Sequence, residues 1–183
     1  MRRIHITGAA GAGVTSLGCA LADRLDAVHL DTDDFYWLPT APPYRLKREV
    51  TERLALLQAA FANAERWVLS GSCDSWIGRL VESFDLVVFV VAPTSLRLAR
   101  LRHRERARFG EAALAPGGAM HDQHRAFLNW AAAYDTGAAA GRNRQRHELW
   151  LSQRGCQVKR VDGRESIDEI VEGLLGQISG IRH

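Results

Sequence analysis

Residues 2–25, RRIHITGAAGAGVTSLGCALADRL, decide how this chain is read. Arg2 to Thr7 has the look of a short strand that runs into a glycine-rich turn, and Val14, Leu17, Leu21 and Leu25 then recur at helical spacing. A strand, a glycine-rich turn and a helix in that order form the setting of a phosphate-binding loop, GxxxxGK[ST]. Gly8 and Gly13 hold the two ends of the pattern, Thr15 stands where a hydroxyl would ligate Mg²⁺, and Val14 occupies the lysine position. The backbone half of the chemistry survives this change. Amides across Gly8, Ala9, Ala10, Gly11, Ala12, Gly13, Val14, Thr15 and Ser16 can converge on phosphate oxygens at a helix N-terminus. The cationic half does not, because a charge-assisted hydrogen bond contributes roughly 1.5–3 kcal/mol, so another cation has to reach in or nucleotide binding weakens. Two other readings stay open: a ligand-free turn, and a dinucleotide loop with Asp31 after the second strand. Glycine spacing disfavours the second, since GxGxxG read from Gly11 meets Ser16 at its third glycine and read from Gly8 fails at Ala10.

Outward from this unit the alternation continues. Ala27 to Leu30 reads as a second strand ending in Asp31, Asp33 and Asp34, and Leu38 to Pro43, with three prolines, as loop. Leu46, Val50, Leu54, Leu57 and Phe61 mark a helix, Trp67 to Leu69 a third strand ending at Ser70-Gly71-Ser72, and Trp76, Ile77, Leu80 and Phe84 a short helix. Leu86 to Val91 is apolar throughout, as a parallel strand covered on both faces would be. Thr94 to Arg108 is a helix rich in arginine, Phe109 to Ala119 a flexible connection, and Phe127, Trp130, Ala131 and Tyr134 a further helix. After a loose Gly137–Gly141 segment come a helix to Leu151, a strand Gln157 to Val161, and a helix with Ile167, Ile170, Val171, Leu174 and Ile178 that starts in a Ser166/Glu169 capping box. Such regular alternation argues for one α/β domain over residues 1–183 with a parallel sheet and helices on both faces.

Composition narrows the rest. The net charge is +3, and 24 basic residues include only Lys47 and Lys159 as lysines, so nearly all are arginines suited to forked phosphate contacts. Three cysteines, Cys19, Cys73 and Cys156, form no CxxC pair and fit a reducing cytoplasm, with Cys73 expected as a packed thiol. The longest apolar run, Leu86 to Ala92, is far below the ~20 residues that span a bilayer, and Thr7, Thr15, Ser16 and the glycines break any signal-peptide reading of the N-terminus. His121 and His124 lack an evident third ligand, so no zinc site is expected, and the basic run lacks the interleaved aromatics that favour nucleic acid.

ITGAAGAGVTSLG, HLDTDDFYW, WVLSGS, FDLVVFVVAP with the arginine helix behind it, and the closing VDG-helix unit together cover most of the chain. On these segments the sequence resembles the P-loop nucleotide and small-molecule kinases, the adenylate, shikimate and gluconate kinase group. It is more closely similar to bacterial adenylate-kinase-like ATPases that include the topology modulation proteins, in which the lysine position often carries a small residue. The resemblance implies a three-layer P-loop fold, a five-stranded parallel sheet in order 2-3-1-4-5, ATP and Mg²⁺ at the loop, and a mobile lid at about residues 104–141. It implies a phosphotransferase whose partners are a nucleotide and a small-molecule or nucleotide acceptor. Small-molecule kinases carry an Asp-x-Asp after the second strand, and Asp31-Thr32-Asp33 matches it. A carboxylate there suits a hydroxyl acceptor whose proton must leave. Asp33 is therefore expected as base and, with Thr15, as metal partner. Asp31, Asp34, Tyr36, Trp37, Ser70, Gly71 and Ser72 are expected around the acceptor. Arg104 and Arg108 are expected on the transferring phosphoryl group, and Arg144 on the nucleotide. The competing readings are a solvated acidic turn, core aromatics, a solvated arginine face, and a non-catalytic nucleotide sensor in which Val14 marks lost chemistry.

Overall fold

A computed structural model describes residues 2–41, 43–138 and 140–179, with side chains to residue 177. Pro42, Ala139 and the side chain of Ile178, expected in two loops and on the last helix, lie outside the described residues. Strands β1 (Arg3–Gly8), β2 (Val28–Asp31), β3 (Trp67–Ser70), β4 (Leu86–Val91) and β5 (Gln157–Asp162) form one sheet in the order β2-β3-β1-β4-β5. Every pairing is parallel, with Ile4 opposite Val68 on one side and Leu86 on the other. The sheet is covered by helices, and this is the expected three-layer α/β architecture.

The side-chain alternation of the strands builds the two cores. Ile4 and Ile6 of β1 and Leu86, Val88 and Val90 of β4 face helices α1 (Val14–Leu25) and α8 (Ile167–Ser179), meeting Leu17, Leu21, Ile170, Val171 and Leu174. Val87 and Phe89 point the other way, into a second core with Trp67, Leu69, Trp76, Ile77 and Phe84. Helix α3 (Val50–Ala62) adds Leu57 to that face and α7 (Arg144–Ser152) adds Leu151. Cys73 is fully buried there, and burial pushes its thiol pKa up, the expected packed thiol.

Parallel pairing puts the C-terminal ends of all five strands, Gly8, Asp31, Ser70, Val91 and Asp162, on one edge of the sheet. Open α/β sheets bind their ligands at this edge. The connections above it carry the short helix α2 (Thr32–Tyr36), the long α4 (Thr94–Phe109), α5 (Glu111–Leu114) and α6 (His121–Ala132).

Three local expectations change. Phe35 and Tyr36 belong to α2 and pack partly buried against the second core, because Asp31 caps this helix by accepting a hydrogen bond from the Asp33 amide. The helix expected from Leu46 starts at Val50. Residues ahead of it instead pair across a strap, with Leu38 N–H on Leu46 O and Arg48 N–H on Tyr36 O. Phe109–Ala119 is not loose throughout, since α5 lies within it and the Met120 amide bonds back to Ala113 O.

Candidate functional site

The loop between β1 and α1 is shaped by backbone that only glycine adopts easily: Gly11 has φ 80° and Gly13 φ 102°. Gly13 is the N-cap of α1, no side chain caps that end, and its first turn has no acidic residue. The positive end of the helix is left for an anion. Ala9 O accepts from the Ala12 amide and Gly13 O from the Leu17 amide, so the loop folds back on itself into the helix. Val14 does not reach over the loop. Its side chain is buried in the first core, against Gly8 and beside Leu17.

The Thr15 hydroxyl donates to Asp31 Oδ2 at 3.0 Å, while Asp31 Oδ1 takes the Asp33 amide at 2.9 Å. Both carboxylate oxygens are thereby fixed, one where the β1–α1 loop enters α1 and one on α2. Ser70, at the end of β3, ties the same region together through contacts with His29 Nε2 at 2.9 Å and Val14 O at 3.4 Å. Thr15 and Asp31 offer the hard oxygen donors that Mg²⁺ prefers, and Mg²⁺ typically takes one or two carboxylates plus phosphate and water. Among the described residues no group of three or more His, Cys, Asp or Glu is arranged as a metal cage, and such a cage is not what this mode of binding needs.

The Thr15 hydroxyl bonds Asp31 and not Asp33. Desolvation first, then the neighbouring Asp31 charge, raise the pKa of Asp33, opposed by Arg142, the Trp37 side chain and Arg104. Asp34 is raised for the same first two reasons. Arg142 is the unusual group of this side. Its Nε is buried without a hydrogen-bond partner, its guanidinium lies 5.1 Å over the Trp130 ring, and its charge is felt by Asp33 and Asp74. Among the described residues Arg142 has no ion pair within 4.0 Å.

Behind Arg142 lies a buried polar chain. The Tyr134 hydroxyl meets His147 Nδ1 at 2.8 Å, His147 Nε2 meets Ser72 Oγ at 3.3 Å, and Ser72 donates to Asp74 at 2.7 Å. Burial opposes ionisation of Asp74, yet His147, whose Nε2 is 3.8 Å away, and the hydrogen bond from Ser72 outweigh it and hold its pKa at about 2. Ser72 and Asp74 follow β3, Tyr134 follows α6 and His147 is on α7, so this chain joins the β3–β4 connection to the β4–β5 connection.

No family model matches the chain. Over 178 residues it is 42% identical to the Bacillus subtilis (strain 168) protein named "Uncharacterized protein YqaC", covering 97% of this chain and 98% of that protein. The chain belongs to the YqaC family. Solved structures similar to this YqaC-family fold include several kinases. Shikimate kinase from Acinetobacter baumannii in complex with shikimate matches 100% of this chain and 95% of its own, with a TM-score of 0.56 and 15% identity. Deoxyadenosine kinase from M. mycoides matches 98% of this chain and 100% of its own, with a TM-score of 0.55 and 15% identity. A gluconokinase from Sinorhizobium meliloti 1021 gives a TM-score of 0.51 at 15% identity over 100% of this chain and 98% of its own. At these identities the likeness is one of fold: the YqaC-family chain has the five-stranded, 2-3-1-4-5 fold of the P-loop kinases.

The residues named from sequence fall into separate groups on this YqaC-family scaffold. Gly8 to Ser16, Asp31 and Ser70 come together at the loop. Asp33, Trp37 and Ser72 lie on the side of Arg142. Tyr36 sits under the Arg53 guanidinium at 3.9 Å, and Asp34 and Gly71 flank the Thr32 turn. Arg104 contacts Glu105 and the Phe127 ring, and Arg108 donates to the Tyr44 hydroxyl at 3.1 Å on the strap. Arg144 is paired with Asp135 at 3.6 Å and lines a recess of about 460 Å³ at the ends of β4 and β5. Two other arginines of α4 reach the loop: Arg97 donates to Ala10 O at 3.4 Å, and Arg100 Nη1 donates to Ala12 O at 3.3 Å beside a second recess lined by Gly13, Gly163, Ser166 and Ile167. Sequence reading missed Asp74, Tyr134 and the weight of Arg142, because each depends on partners from a distant segment. The sequence does place Arg142, Arg144 and His147 close together along the chain, a signal for this side of the site.

Proposed function

We propose that this chain transfers the γ-phosphoryl group of ATP to a hydroxyl of a small acceptor that carries one negative charge. The observation that carries the reading is the juxtaposition of an uncapped helix N-terminus and the Thr15–Asp31 pair with Asp33 and with Arg142, whose buried Nε has no hydrogen-bond partner. The kinase folds of shikimate kinase and gluconokinase support it.

In this reading the amides of the loop bind the phosphates, and the recess beside Arg100, Ser166 and Ile167 takes the base. Thr15 and Asp31 hold Mg²⁺, which when bound neutralises charge on the phosphates. Asp33 accepts the proton of the attacking hydroxyl; its raised pKa brings it closer to the range where a carboxylate is an effective base. Arg142 orients the acceptor through its anionic group. A single guanidinium flanked by Asp33 and Asp74 matches a carboxylate better than a dianionic phosphate, which those two carboxylates would repel. Residues 104–141 act as the lid, and Arg104, a positive charge felt at Asp33 after Arg142, is the lid arginine assigned to the transferring group. The three free cysteines agree with a cytoplasmic setting.

A non-catalytic nucleotide sensor is the second reading, favoured by one observation, the burial of Val14 where a lysine would serve catalysis. A coupled assay with hydroxylated monocarboxylates and, separately, nucleoside monophosphates as acceptors decides between them. Turnover that is lost in Asp33→Asn with ATP binding kept supports the kinase, and turnover with none of them, alongside intact ATP binding, supports the sensor.

A further inference from the structure

Arg97 is fully buried, yet it lies on a helix whose other arginines are largely at the surface. It makes five hydrogen bonds: to Ala92 O, Ala10 O, Ala131 O, Thr94 Oγ1 and Asp135 Oδ2. One of these, to Ala10 O at 3.4 Å, enters the middle of the glycine-rich loop. One turn further along α4, Arg100 donates to Ala12 O at 3.3 Å. Two arginines from a single helix therefore draw on alternate carbonyls of the same loop.

A trans peptide is planar, and its C=O and the following N–H point in opposite directions. Holding Ala10 O toward Arg97 turns the Gly11 N–H the other way, and holding Ala12 O toward Arg100 does the same for the Gly13 N–H. These are the two positive-φ glycines of the loop. Neither amide donates to another backbone group of the loop, in contrast to that of Ala12, which is spent on Ala9 O. The fit is close as well as polar, because a Cβ on Gly11 would lie 2.5 Å from the Arg97 carbonyl oxygen. In a loop whose lysine position is filled by a valine turned into the core, nothing from the loop's own sequence supplies a side-chain donor to hold these carbonyls.

The geometry points to Arg97 as a positioning residue that, with Arg100, sets the peptide planes aiming the Gly11 and Gly13 amides at the phosphates. This rests on residues 8–16 being a phosphate loop. Arg97 touches no substrate. It acts through the Ala10 peptide, and its bonds to Ala131 O and Asp135 connect the loop to the end of α6.

Amide order parameters of Gly11 and Gly13 in the ligand-free ¹⁵N-labelled chain test this directly, with MgATP calorimetry beside them. Arg97→Gln is expected to lower the Gly11 value from the rigid range near ~0.85 toward the flexible range below ~0.6, and to weaken MgATP binding at least about tenfold, which is 1.4 kcal/mol. Arg100→Gln, at a half-exposed site, is expected to act on Gly13 and to leave Gly11 ordered, and it carries the test if Arg97→Gln does not fold. Leu151→Ala, which thins the second core far from the loop, is expected to lower Tm without moving either amide or the affinity. If Arg97→Gln and Arg100→Gln behave like Leu151→Ala, the inference is overturned. If the unaltered chain binds no ATP, the phosphate-loop reading fails, and the ligand-free comparison still decides whether these arginines order the loop.

Discussion

Replacing Val14 by lysine restores the standard phosphate-loop pattern, and the structure sets the sign of two opposed effects. The Val14 side chain is 9% exposed and packs on Gly8 and the first core. A fully buried valine contributes about 1.5–3 kcal/mol over an exposed one, and a lysine stem can retain part of that by lying along apolar surface while its ammonium reaches out. The ligand-free Val14→Lys chain should therefore lose up to about 1.5–3 kcal/mol, a fall of about 3–12 °C in Tm at 2–4 °C per kcal/mol for a domain of this size. With nucleotide the balance reverses. One charge-assisted contact to a phosphate contributes about 1.5–3 kcal/mol, so MgATP affinity should rise about tenfold to a hundredfold. Thermal melts with and without MgATP, and calorimetry, read both numbers from one preparation. A variant as stable as the parent, with unchanged ATP affinity, would refute both the packing of Val14 and the placement of phosphate above it.

Three further outcomes follow from particular contacts. Asp31→Asn removes the charge that meets Thr15 Oγ1 at 3.0 Å, so ATP binding should lose most of its Mg²⁺ dependence, measured by titrations with and without the metal. Asp33 has a raised pKa and must be ionised to accept a proton. The acid limb of a pH–kcat/KM profile should thus fall above the ordinary carboxylate value. Asp74, held at about 2 against a usual 3.8, stabilises the fold on the order of 2 kcal/mol above its unfolded pKa. That contribution should be lost as pH falls from about 4 toward 2, and denaturant melts of Asp74→Asn should show a flatter pH dependence there.

How far the sequence speaks differs by element. The β1–loop–α1 unit is legible because glycine positions and the Val14/Leu17/Leu21 spacing are local properties, and the all-apolar Leu86–Val91 announces a strand covered on both faces. The strap is not legible. Leu46 fits the periodicity of α3, and only its pairing with Leu38 across the strap takes it out of the helix. The site divides in the same way. Thr15 and the aspartates can be named from spacing, but the hydrogen bond from Thr15 goes to Asp31, the residue that caps α2, and not to Asp33. Arg97 reads as one arginine among many on α4, although its neighbours from β4, the loop and α6 make it the most deeply buried charge of that helix. Arg142 gains its character from Asp33, Asp74 and Trp130, which no local pattern links.

Calorimetric titration of the purified chain with ATP, with and without Mg²⁺ and with NAD as a control, tests the central claim most directly. Magnesium-dependent ATP binding, with no response to NAD, is the result predicted for a phosphate loop that works without its lysine. Binding of NAD alone, or no binding of ATP at any magnesium concentration, would contradict it.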